Sequence, residues 1–167
     1  MRAVLPFFLL GALAFTGCRP STAAAPTSPL AATVVKVIDG DTIDIHGVRI
    51  RFLGVDAPEG RQQCQHRDGS SWRCGQQASF ALSDRIGRAI ITCRPQNKDR
   101  YGRTVATCFK GTEDLNRWMV ANGWAVAYRR YSVDYVTDED SARQSRTNIW
   151  SGDFDMPWDW RAQRRNY

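Results

Sequence analysis

Three short β-rich runs lie between Val34 and Val55, separated by breaks too short to be anything but tight turns. Val34-Val35-Lys36-Val37-Ile38 ends in Asp39-Gly40-Asp41-Thr42, Ile43-Asp44-Ile45 follows, and His46-Gly47 makes the second break. Val48 to Val55 then mixes apolar and basic residues until Pro58 stops the strand. Breaks of this kind make consecutive strands antiparallel neighbours, and this constrains the chain more than any other feature. Asp41 comes to the start of one strand and Asp56 to the end of its neighbour, at the same end of a sheet although 15 residues apart. Helical spacing appears only later. Gln76 to Ile86 carries Ala78, Ala81, Leu82 and Ile86 on one face, with Gly87 as the stop. A second helix is expected after a Thr112 cap, with Leu115, Trp118 and Met119 inward and Gly123 as its end. A third is expected from Ser132, acidic early and basic late, with its charges on a solvated face. The class is therefore α+β, mainly β.

The residues gathered at the strand ends have a chemistry. Asp41 and Asp56 offer oxygen on short loops, which suits Ca²⁺, a cation that takes 6–8 oxygens and accepts carbonyls and water. Zinc is not indicated, because His46 and His66 have no partner at ligand spacing. With both aspartates on a metal, Glu59 is the spare carboxylate and the natural base. Arg51, and Arg103 in Asp99-Arg100-Tyr101-Gly102-Arg103, present planar forks suited to phosphoryl oxygens. Phosphodiester hydrolysis needs such a set. Enzymes lower barriers by about 8–23 kcal/mol, whereas a base supplies about 10²–10⁴-fold and one preorganised donor about 3–4 kcal/mol. Taken singly, Asp-Gly-Asp-Thr is a turn, Asp-Ala-Pro-Glu a loop before a helix and Tyr-Gly-Arg a hairpin tip. Their order and spacing together favour the catalytic reading.

The ordered set Asp39-Gly40-Asp41-Thr42, Arg51-x₄-Asp56-Ala57-Pro58-Glu59 and Asp99-Arg100-Tyr101-Gly102-Arg103 resembles the staphylococcal-nuclease (thermonuclease) family. The resemblance runs from about Ala32 to Trp150, with Asn148-Ile149-Trp150 closing the last helix. It implies a five-stranded OB-fold barrel with three helices and Ca²⁺-dependent cleavage of DNA and RNA that leaves 3′-phosphates. It further implies that Asp41, Asp56 and the backbone carbonyl of Ala57 hold the metal. Glu59 is then the general base, Arg51 and Arg103 clamp phosphate, and Tyr101 and Tyr128 line the nucleotide pocket. Ala57 stands where the type member has threonine, a change that a backbone ligand survives. The Cys64–Cys74 insertion and the tail after Trp150 depart from the type member and resemble a secreted bacterial subgroup.

The remaining sequence concerns export and framework. Residues 1–17 read as a signal peptide, with Met1-Arg2 before an apolar run of 14 residues, too short to span a bilayer. Phe15-Thr16-Gly17-Cys18 resembles a lipoprotein processing site, so Cys18 is expected to carry lipid and anchor the protein to a membrane, in the periplasm or on the outer membrane; the alternative is ordinary cleavage and secretion. Residues 18–31 form a flexible tether, 32–150 the nuclease domain and 151–167 a tail rich in Trp and Arg, expected to pack on the barrel. The charge is +6, or 22 − 17 = +5 without residues 1–17, which favours a polyanionic partner. Beyond Cys18 four cysteines remain, an even number with three possible connectivities. Cys93 and Cys108 fall in two strands joined by the Tyr101 turn, and Cys64 and Cys74 flank a polar loop, which favours Cys93–Cys108 and Cys64–Cys74. The protein is expected to act as a monomer. The alternative function is a catalytically silent OB-fold lipoprotein that binds nucleic acid, as barrels of this kind do without metal.

Overall fold

The computed structural model describes residues 28–34 and 36–164. The signal segment, Cys18 and most of the tether lie outside the described residues. β1 (Leu30–Thr33) begins two residues inside the segment read as tether. It is followed by β2 (Lys36–Asp39), β3 (Thr42–Ile45), β4 (Val48–Phe52) and β5 (Val55–Asp56). His46 and Gly47 both have positive φ, 51° and 86°, the geometry of a two-residue hairpin turn whose twist matches its strands. Next come β6 (Cys64–Gln65), β7 (Ser71–Trp72), α1 (Cys74–Ile86), β8 (Ile90–Lys98), β9 (Thr104–Lys110) and β10 (Glu113–Asp114). The chain then forms α2 (Leu115–Ala121), β11 (Val126–Ala127), α3 (Val136–Gln144), a 3₁₀ turn (Asn148–Ser151) and α4 (Pro157–Arg164).

The main sheet runs β1-β8-β9-β4-β3-β2, with β10 added to β9. Its two edge strands, β1 and β2, are nearly consecutive in the chain, so the sheet must curl to bring its edges round. Every pairing along this path is antiparallel except β4–β9, which is parallel. The sheet thus has six strands of four residues or more and the two-residue β10, where five strands were expected.

Strand alternation fills the barrel. Ile43, Ile45, Ile50, Phe52, Ile91, Cys93, Ala106 and Cys108 point inward and are buried. α1 covers them with Ala78, Leu82 and Ile86, and α2 with Leu115, Met119 and Val120. Each large aliphatic or aromatic group so buried is worth about 1.5–3 kcal/mol. Trp118 and Trp124 pack against this core, and Trp150 against a second cluster built on Cys64, Cys74, Val126 and Ile149. Both expected disulfides are present. Cys93 and Cys108 are register partners in β8 and β9, and Cys64–Cys74 closes the small β6–β7 hairpin.

Three details differ from the sequence expectation. α2 is capped by Asp114, which accepts from the Arg117 N–H at 3.1 Å, because the chain spends Glu113–Asp114 pairing with β9 before it turns helical. α3 starts at Val136 rather than Ser132, since the Ser132 hydroxyl accepts from the Asp134 N–H at 3.1 Å and holds a turn there. Glu139 is buried rather than solvated. It accepts from the Ala127 N–H at 3.0 Å and pairs with Arg129 at 2.6 Å, tying α3 to β11. The tail forms α4, packed on the domain as expected, and gives a fourth helix.

Candidate active site

The β2–β3 turn delivers Asp41, 1% exposed, to the rim of the barrel. Its carboxylate accepts from the Thr42 hydroxyl at 3.0 Å and from the Ala57 N–H at 2.7 Å. Thr42 and Arg51 are register partners on β3 and β4, so Arg51 rises directly beside Asp41. One terminal nitrogen of Arg51 donates to Asp41 Oδ1, and the other to Asp56 Oδ1 at 2.6 Å. Asp56 is fully buried at the end of β5. A single planar fork thus bridges two carboxylates from different turns. Burial pushes the Asp41 carboxyl up to about 7, against the pull of Arg51, with neighbouring Asp39 adding to the rise. Burial alone would lower the Arg51 guanidinium; Asp41 and Asp56 outweigh it and raise it.

Glu59 follows on the Asp-Ala-Pro-Glu loop. The loop is fixed by buried Gln62, whose N–H donates to the Glu59 carbonyl at 2.7 Å and whose Oε1 accepts from the Glu59 N–H at 3.2 Å. It also presses on the first turn of α1. A Cβ on Gly75 would lie 1.7 Å from the Glu59 carbonyl oxygen, so any other residue there moves the loop.

Asp41, Arg51, Asp56, Ala57 and Glu59 therefore meet on one rim, Ala57 through its amide N–H to Asp41 rather than through the carbonyl that the resemblance assigns to a metal. Arg103 and Tyr101 sit apart, in the β8–β9 turn. Asp99 accepts there from the N–H groups of Tyr101 and Arg103 and from Arg103 Nε at 2.7 Å. Alternation puts Arg103, one residue before β9, on the same outward face as Val105, the register partner of Arg51. Tyr101 is 68% exposed. Tyr128 follows β11, which pairs with β5 (Val126 opposite Asp56), and its N–H donates to the Gly54 carbonyl at 2.8 Å. That pairing places the tyrosine opposite Gly54, two positions along the strand from Asp56.

The donors converging here are all oxygens, and two are buried carboxylates held at one guanidinium. Among the described residues no group of three or more His, Cys, Asp or Glu forms a metal cluster. The protein would thus contribute two carboxylates and leave other positions to carbonyls and water. Such a set of oxygens suits a hard cation, which takes carboxylates, carbonyls and water.

Sequence reasoning missed Arg161. From α4 its guanidinium donates to both oxygens of Asp56, at 3.0 and 2.7 Å, and to Glu59 Oε1 at 2.7 Å. One turn earlier, the Trp158 ring stacks on Tyr128 with centroids 5.4 Å apart and planes 14° from parallel. The i, i+3 spacing of Trp158 and Arg161 was the available signal, a shared helical face. Asn116 was missed too. Fully buried, it donates to the carbonyls of Leu53 and Ala106 and accepts from the Cys108 N–H, holding the end of β4 against β9.

Residues 49–152 match the model of the family described as staphylococcal nuclease homologue. An uncharacterized endonuclease of Escherichia coli O157:H7 is 32% identical over 139 residues, covering 78% of this chain and 84% of that protein. The micrococcal nuclease of Shigella flexneri is 30% identical over 151 residues, 80% of this chain and 81% of its own. The succinoglycan biosynthesis protein ExoI of Rhizobium meliloti (strain 1021) is 38% identical over 117 residues, and the match spans 68% of this chain and 61% of that protein.

Proposed function

Because the chain belongs to the staphylococcal nuclease family, whose domain is an OB-fold, we propose that it is a Ca²⁺-dependent endonuclease that hydrolyses phosphodiester bonds of DNA, RNA or both and leaves 3′-phosphate ends. The observation that carries this reading is the pair of buried carboxylates, Asp41 and Asp56, bridged by Arg51 with Glu59 three residues beyond. A module that only binds nucleic acid has no use for a carboxylate cluster, which repels phosphate.

Asp41, Asp56 and the Ala57 carbonyl would hold the Ca²⁺, which when bound supplies positive charge at the scissile phosphate. The chain's own groups do the rest. Glu59 takes the proton from the attacking water as the 5′-oxygen leaves. Arg51, whose terminal nitrogens each donate to one carboxylate, turns its remaining N–H groups to the phosphoryl oxygens as these gain charge. Arg103 joins from the neighbouring turn by exchanging Asp99 for phosphate. Tyr101 and Tyr128 line the path of the nucleotide. Export fits the two disulfides, which persist in oxidising compartments, and a lipid on Cys18 would tether the enzyme to a membrane. Labelling with fatty-acid precursors tests the lipid: an unlabelled exported protein replaces it with ordinary signal cleavage.

The deciding experiment incubates purified protein with single- and double-stranded DNA and RNA, with Ca²⁺ or with chelator. Cleavage with Ca²⁺ that stops on chelation is expected, and Mg²⁺ should serve poorly because it demands tighter octahedral geometry. Undiminished cleavage in excess chelator removes the metal from the account. Binding without cleavage under every condition returns the chain to the silent binding module.

A further inference from the structure

Two side chains of α4 lie against the site, each on a group that the reaction needs. A carboxylate has about four acceptor positions on its two oxygens, and Asp56 gives three of them to guanidinium N–H groups, one from Arg51 and two from Arg161. Glu59 gives Oε1 to the same Arg161. A cation at Asp56 needs lone pairs that Arg161 holds, and a proton moving to Glu59 meets a carboxylate already paired with the same guanidinium. Trp158 meanwhile covers one face of Tyr128, a face on which a nucleobase would otherwise stack.

The helix is set in this position by the segment that also frames Glu59. Gln62, which bonds the Glu59 backbone, donates through Nε2 to the Asp155 carbonyl at 2.6 Å. Gln65 of β6 exchanges backbone hydrogen bonds with Asp153 at 2.8 and 3.1 Å. Phe154, Met156 and Trp158 pack on the cluster around Cys64 and Cys74. The disulfide-closed hairpin and the tail are therefore one assembly with α4 at its end.

We propose that α4 is an internal competitor for the active site: Arg161 holds Asp56 and Glu59 in place of the cation, Trp158 holds Tyr128 in place of a base, and metal and nucleic acid bind by displacing the helix. The inference rests on the nuclease reading for what is displaced. Its consequence is thermodynamic: any ligand needing Asp56 binds with an apparent affinity reduced by the fraction of molecules in which Arg161 is away. By reciprocity, each ligand loosens the helix for the other.

The test compares the parent with Arg161→Ala, Arg161→Lys and Arg164→Ala by titration calorimetry with Ca²⁺. Arg164 lies on the same helix, exposed, and rests over Trp160 rather than on a carboxylate. Arg161→Ala should bind Ca²⁺ about tenfold more tightly, the gain expected if α4 is docked in about nine molecules of ten. Arg161→Lys, which keeps the charge but loses the fork, should bind more tightly than the parent. Arg164→Ala should stay within about twofold of the parent. Equal affinity in the parent and Arg161→Ala overturns the proposal, as does an equal gain in Arg164→Ala, which would mark a general charge effect. A second measurement uses the unaltered protein and needs no metal. Hydrogen exchange across residues 157–164 should accelerate when a short single-stranded oligonucleotide is added in chelator, and Trp158→Ala should bind that oligonucleotide several-fold more tightly by anisotropy. Protection that is unchanged or increased, or weaker binding by Trp158→Ala, overturns the displacement of the helix. If no variant binds Ca²⁺, the Ca²⁺ assignment fails and the oligonucleotide measurements decide the fate of α4 alone.

Discussion

Asp41, Arg51, Asp56, Ala57 and Arg103 each have a partner close in sequence. Arg51 is opposite Thr42 in the β3–β4 register, so the bridge to Asp41 follows from a two-residue turn and strand pairing alone. Arg103 is different. Asp99 organises its turn through two backbone N–H groups and also holds its Nε, so the guanidinium waits on a carboxylate outside the cluster. If its task is to fork onto developing phosphoryl charge, then Arg103→Lys retains substrate binding and lowers kcat by about 100-fold, the size of one lost preorganised donor. Measuring kcat and nucleic-acid affinity side by side checks this, and an affinity that falls in step with the rate contradicts it. Asp41, Arg51, Asp56 and Arg103 were legible because their partners are near in sequence, whereas Tyr128 came from the family resemblance alone. Arg161 was not legible, because its partners Asp56 and Glu59 are 105 and 102 positions away, and no local pattern encodes that distance.

At the scale of elements, the β8–β9 hairpin carries Arg103 and is braced by Cys93–Cys108, in direct register across the pair. A closed loop of sequence separation 15 is worth about 3 kcal/mol in the chain-entropy account. The Cys93→Ala/Cys108→Ala protein should therefore lose about 3 kcal/mol in denaturant unfolding under oxidising conditions; an unchanged midpoint would mean that the bridge braces nothing. Strands were readable here because alternation and turns are local signals. Helix starts were less so. Thr112 has the chemistry of a cap, but the two-residue pairing of β10 with β9 takes the chain past it, and Asp114 caps instead. Glu139 sits in an acidic stretch that reads as solvated until Arg129 and the Ala127 N–H, both across a turn, are folded against it.

For the whole molecule, the curl of the main sheet brings the Asp41 turn, the end of β5 and the Glu59 loop to one rim. The motif order in the sequence anticipated the β2–β3–β4 hairpins, but Asp56 is not at the end of the neighbouring strand: β4 stops at Phe52, and β5 carries Asp56 into a separate pairing with β11. The motif order did not anticipate that the insertion around Cys64–Cys74 and the tail beyond Trp150 would combine. Their packing depends on contacts such as Gln65 with Asp153 and Gln62 with Asp155, visible only once the chain has closed on itself. The central claim is that the cluster on the rim catalyses rather than merely binds. Glu59 is the residue on which the two differ, because its proposed task in the reaction is proton transfer. The most direct measurement is kcat together with nucleic-acid affinity, in Ca²⁺, for the parent and Glu59→Gln. The account predicts turnover in the parent, a fall of about 10²-fold or more in the variant, and no loss of affinity, since weakening the Arg161 pair only frees the helix. A parent without turnover, or a variant that cleaves as fast as the parent, would contradict it.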